Sequence, residues 1–177
     1  MLFPGHQKQK IQQGVTTMTL FDNYGDIEKR PKLKRINTYR LKMVKEATNL
    51  YSTNTVRCPA DAADIMTKFY EEADREILSV ILLNVKNKVI GINEVSVGSL
   101  TASVMHPREI FKCAILGNAA AIMLAHNHPS GDTSPSREDI EITKIIKDAG
   151  KLMDIPLIDH IIIGDNQYTS LKEHGYI

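Results

Sequence analysis

Cysteine is scarce in this sequence: Cys58 and Cys113 are the only two in 177 residues, too few for a disulfide framework in a chain of this size. Both are expected to be free thiols buried as small hydrophobes, and without a CxxC pair a cysteine metal site is not expected. Long apolar runs are also missing. None approaches the ~18 residues needed to span a bilayer, so no membrane partner is expected. The opening residues MLFPGHQKQKIQQG lack the apolar core of a signal peptide, which makes the cytoplasm the expected location. An excess of one charge sign is lacking too, since 22 Lys and Arg face 21 Asp and Glu for a net charge of +1. That total alone points to neither nucleic acid nor an acidic partner. Internal repeats and low-complexity tracts are absent. The 42% hydrophobic and 24% charged content excludes a wholly disordered or collagen-like chain.

The near-neutral total conceals a split. Residues 1–50 hold ten Lys and Arg against four Asp and Glu, whereas residues 51–177 hold twelve against seventeen. A basic arm is joined to a mildly acidic body. Residues 1–37 are polar and aperiodic, with too little apolar surface to offset ordering entropy, and read as a mobile tail. Met18 is a plausible alternative start, which would place residues 1–17 outside the native chain. The folded domain is expected over residues 38–177.

Within that domain, Tyr39 to Val44 alternates apolar and polar residues as a half-buried strand does. Pro59-Ala60-Asp61 opens a helix with Ala62, Ile65, Met66 and Phe69 on one face. Ile77 to Val85 is an apolar run suited to a buried strand, and Lys86-Asn87-Lys88 turns it into a second strand over 89–95. A short strand over 100–104 is expected next, then a helix begun by His106-Pro107 and ended by Gly117-Asn118. Ala119 to Ala125 is another buried strand. A helix over 136–149, ended by Gly150, and strands over 155–163 and 168–171 complete the pattern. The alternation indicates one mixed sheet with two or three helices packed on it, an α/β sandwich.

Chemistry concentrates in HNHPSGDTSPSRED, residues 126–139. His126 and His128 stand two apart at a strand end, so both imidazoles leave one face. The Pro- and Gly-containing loop can fold back and return Asp139, in the first turn of the next helix, to the imidazoles. Two His and one Asp leave a fourth coordination position open, as a catalytic zinc site requires. A plainer reading of Ser136-x-x-Asp139 is a capping box that needs no metal. Hydrolysis at zinc also needs a base to accept a proton from water. Glu94, flanked by apolar Ile92 and Val95, is the candidate, its alternative being a surface glutamate on an edge strand. His160, isolated among apolar neighbours, reads as a hydrogen-bonded core histidine or as a support for a metal ligand. His106 reads as a helix-start residue.

These residues match the pattern of a family. The chain resembles the JAMM (MPN+) metallohydrolases, in which an upstream Glu precedes H-x-H-x7-S-x2-D. It is most similar to their RadC-like branch through INEVSVGSLTASVMHPREIFK, HNHPSGDTSPSREDIEITK and IPLIDHIIIGD. The resemblance implies a JAB/MPN-like α/β sandwich around a curved mixed sheet. It also implies one zinc ion held by His126, His128 and Asp139, with Glu94 as general base and Ser136 stabilising the oxyanion. The implied activity is metallopeptidase- or isopeptidase-like hydrolysis of an amide bond. The helix-hairpin-helix region common in full-length RadC-like proteins has no counterpart in residues 1–37, which suggests a short form. The family's DNA-repair label offers an alternative, an accessory protein of mobile elements. Its basic arm, Lys29, Arg30, Lys32, Lys34 and Arg35, would then contact DNA phosphates.

Overall fold

The computed structural model describes residues 34–98 and 106–177. Residues Arg40–Ile177 form one compact unit, and every element below lies within it. Among the described residues, no helix is long and apolar enough to cross a membrane.

The elements run α1 (Pro59–Phe69), β1 (Ile77–Leu83), β2 (Val89–Val97), α2 (Pro107–Leu116), β3 (Ala121–Asn127), α3 (Arg137–Met153), β4 (Leu157–Ile163) and β5 (Tyr168–Ser170). The five strands form one mixed sheet in the order β2-β1-β3-β4-β5. Only β3 and β4 are parallel, joined through α3; the other neighbours are antiparallel.

β1 and β3 consist almost wholly of apolar residues because both faces of the sheet are covered. On one face, Leu78, Val80, Ile122 and Leu124 pack with Phe111 of α2 and Ile142 and Ile146 of α3. On the other, Ile81, Met123, Ala125 and Ile161 pack with Ala62, Ile65 and Met66 of α1. The result is the expected α/β sandwich with three helices.

Several local expectations need correction. Tyr39–Val44 forms no strand, and Leu41 and Val44 are about three-quarters exposed. Alternation permits a strand, but one forms only where a sheet edge accepts its backbone. Gly150 does not end α3, which continues to Met153 and stops at Asp154 in the left-handed conformation, φ 55°. Gly150 is instead a packing device, since a Cβ there would stand 2.6 Å from the Ile155 carbonyl oxygen. Cys58 is exposed at the N-cap of α1, whereas Cys113 is buried as expected. The strand expected over 100–104 lies outside the described residues.

Candidate metal centre

β3 ends in His126-Asn127 and hands on to His128, whose N–H donates to the Ile163 carbonyl of β4 at 2.8 Å. The two imidazoles emerge on the α3 side of the sheet, with their Nε2 atoms 2.9 Å apart. His126 is fully buried and His128 half-buried. Asp139 enters from the first turn of α3. Its Oδ1 lies 3.3 Å from His126 Nε2, and its Oδ2 lies 3.7 Å from His128 Nε2.

The capping box and the convergence on the imidazoles coexist. Ser136 N–H and Ser136 Oγ–H both donate to Asp139 Oδ2, at 2.7 and 2.6 Å, while Asp139 N–H donates to Ser136 Oγ at 3.1 Å. One carboxylate oxygen is thus spent on the helix terminus, leaving Oδ1 towards His126. Burial pushes the Asp139 carboxyl up, but the facing His126 imidazole and the Ser136 donors outweigh it and hold the group well below the usual carboxylate range.

Hydrogen bonding engages the Nδ1 atom of each imidazole. Thr143 Oγ–H donates to the Asp139 carbonyl at 2.5 Å, so the same oxygen accepts from His160 Nδ1–H at 2.6 Å. Burial pushes the His160 pKa far down and keeps the ring neutral, so its Nε2 is a lone pair. That lone pair accepts from His126 Nδ1–H at 2.8 Å. On the other imidazole, His128 Nδ1–H donates to the Asp132 carbonyl at 2.5 Å. With both Nδ1 atoms engaged, Nε2 is the nitrogen each ring turns to the cluster, bare when the ring is neutral. Two lone pairs 2.9 Å apart beside a carboxylate repel one another unless a cation or proton sits between them. Two nitrogens bound tetrahedrally at ~2.05 Å would stand about 3.3 Å apart, close to the spacing seen. The donor set fits zinc.

Sequence reasoning missed the nearest glutamate. Glu76, half-buried just before β1, has a carboxylate oxygen within 4.8 Å of donor nitrogens of both His126 and His128, which are themselves that close. Because Leu78 pairs with His126 in the antiparallel β1–β3 ladder, continuing the register sets Glu76 opposite His128 and on the same face. The detectable signal was a carboxylate immediately before an apolar strand that pairs with the His-x-His strand.

Glu94 is not brought to this cluster. It is exposed on the edge strand β2, opposite Ser79, and alternation along β1 puts Ser79 on the face away from Leu78 and His126. Its charge bears instead on Tyr70, which follows α1. Ser136 is close to Asp139, but its hydroxyl proton is committed to Oδ2. His106 stands at the N-cap of α2. Asp132 shapes its loop through Ser134 N–H (2.9 Å), and Asp159 accepts from Lys172 N–H and Ser170 Oγ–H at the chain's last turns. Of the basic arm, Lys34 and Arg35 are exposed; Lys29, Arg30 and Lys32 lie outside the described residues.

Residues 56–176 match the RadC-like JAB domain family. The chain is 54% identical over 122 residues to a UPF0758 protein of Clostridium beijerinckii, covering 69% of this chain and 53% of that one. A UPF0758 protein of Desulforamulus reducens is 50% identical over 122 residues, with shares of 69% and 54%. One from Moorella thermoacetica is 49% identical over 126 residues, with shares of 71% and 55%. The chain therefore spans about half the length of the curated relatives it matches.

Proposed function

Because the chain belongs to the RadC-like JAB domain family, we propose that it is a zinc-dependent hydrolase of amide bonds with a peptide or isopeptide substrate. The observation that carries this reading is the convergence of the two imidazole Nε2 atoms and Asp139 Oδ1, with the Glu76 carboxylate close by. His126, His128 and Asp139 would hold the ion. When bound, zinc supplies a Lewis acid that polarises a carbonyl and makes water easier to deprotonate.

Glu76 is then the general base. It takes the proton from the attacking water and delivers it to the departing amine, a role that needs reach to both atoms. This moves the base from Glu94 to Glu76. Ser136 holds Asp139 at the helix start, and its engaged hydroxyl makes it a support for the ligand rather than an oxyanion donor. Contact of the basic stretch with DNA phosphates is a separate proposal, tested by whether affinity falls steeply with salt.

Metal analysis of the purified chain tests the centre. One zinc per chain, lost in Asp139→Ala, is expected; a parent without zinc, or a variant that binds it equally, overturns the reading. A peptide and isopeptide library then tests the chemistry. Glu76→Gln should still hold one zinc per chain, about 10-fold more weakly, and lose about 10²-fold or more in turnover, whereas Glu94→Gln should match the parent. The opposite pattern would return the base to Glu94.

A further inference from the structure

Alternation along β3 sends the imidazoles of His126 and His128 to one face and the side chain between them, Asn127, away from both. Asn127 is nevertheless only 8% exposed, and a buried carboxamide must be hydrogen-bonded. The β1–β3 backbone ladder ends at the pair Leu78 and His126. Where the next pair would stand, the Asn127 side chain replaces it. Ile77 N–H donates to Asn127 Oδ1 at 2.8 Å, and Asn127 Nδ2 donates to the Arg75 carbonyl at 3.0 Å. These two bonds grip the peptide groups on either side of Glu76. From the far end of β2, Gly98 N–H donates to the Glu76 carbonyl at 2.8 Å.

We infer that Asn127 is a positioning residue for Glu76: its carboxamide fixes the start of β1 so that the Glu76 carboxylate stays beside the two imidazoles. The inference rests on the reading that Glu76 serves the metal centre. Its residue preference follows from the contacts, because one acceptor and one donor are needed on a single short side chain. Without it, Glu76 would hang from a strand end that begins beside the exposed Asp74 and Arg75, where backbone opens most readily. The His-x-His spacing thus uses its middle residue to register the carboxylate against the ligands on either side of it.

A double-mutant cycle on the full chain tests this, with zinc affinity read by chelator competition. Asn127→Ala should weaken zinc about 10-fold, close to the loss in Glu76→Gln alone, and by less than about twofold when made in the Glu76→Gln background. Equal losses in both backgrounds would show that Asn127 acts on the imidazoles directly and would overturn the inference. Amide exchange in the metal-free chain gives a second readout. Ile77 should exchange at least about tenfold faster in Asn127→Ala and stay slow in Asn127→Asp, which keeps Oδ1, while mid-strand Ile81 is unchanged. Unaltered Ile77 exchange in Asn127→Ala overturns the clamp whatever the metal does. A parent that binds no zinc refutes the metal reading alone, since the exchange experiment still judges the clamp.

Discussion

His126 Nδ1 meets His160 Nε2 across 2.8 Å, and this contact decides which face of the His126 ring is free for a metal. The protons run in one direction from His126 through His160 and Thr143 to the Asp139 carbonyl. One end of the relay is a candidate ligand ring, and the other is the backbone of a second candidate ligand. Thr143→Val removes the hydroxyl and leaves His160 Nδ1–H without a partner, so His160 can turn its proton toward His126 and invert that ring's tautomer. Zinc affinity should fall about 10- to 100-fold, and stability should drop by about 1–3 kcal/mol for the unsatisfied buried group. Chelator competition and urea denaturation measure the two effects. Unchanged zinc affinity would show that His160 is a core residue with no bearing on the centre.

The main architecture could be read from the chain because apolar runs such as ILSVILL and AIMLA fit only strands covered on both faces, and the sheet contains them so. The convergence of His126, His128 and Asp139 was also legible, since strand alternation and a loop returning to a helix start are local rules. Glu76 was not, because its placement depends on the pairing of β1 with β3, residues about fifty apart in sequence. Glu94 attracted attention through its apolar neighbours, yet the register shift between Leu78 and Ser79 sets it opposite Ser79, on the other face. Tyr39–Val44 fails for the complementary reason: its pattern was right, but no strand edge receives it.

Tyr70 gives a pH prediction away from the candidate ligands. Its hydroxyl donates to the Ala125 carbonyl at 2.8 Å, and burial pushes its pKa far above the ordinary value. Below about pH 10 the phenol is neutral in both folded and unfolded chains, and its contribution to stability is complete. As pH rises further, the unfolded chain loses the proton while the folded chain keeps it, so stability falls. Tyr70→Phe should cost about 1 kcal/mol at pH 8. Above pH 10 its stability should decline less steeply than the parent's, by about 1.4 kcal/mol per pH unit. Urea denaturation from pH 8 to 11.5 makes the comparison, and parallel curves would sink it.

Gly164, just after β4, controls how closely the loop following His128 can approach. A Cβ at this position would run into the Gly131 carbonyl oxygen and stand 2.6 Å from Thr133 Cγ2. The same loop supplies the Asp132 carbonyl that accepts from His128 Nδ1, and Gly131 O is itself tied to Gln167 Nε2 at 2.8 Å. Gly164→Ala should therefore push the loop outward, cost about 1–3 kcal/mol from overpacking, and release the proton-bearing side of His128. Zinc binding should weaken together with stability. Gly91→Ala supplies the contrast, because a Cβ there meets only Leu82 Cδ1 at 3.6 Å, an ordinary contact. It should leave both quantities within about 0.5 kcal/mol of the parent. If Gly164→Ala destabilised the chain without touching zinc affinity, the Asp132–His128 contact would be a loop-packing feature and His128 would be oriented by β3 alone.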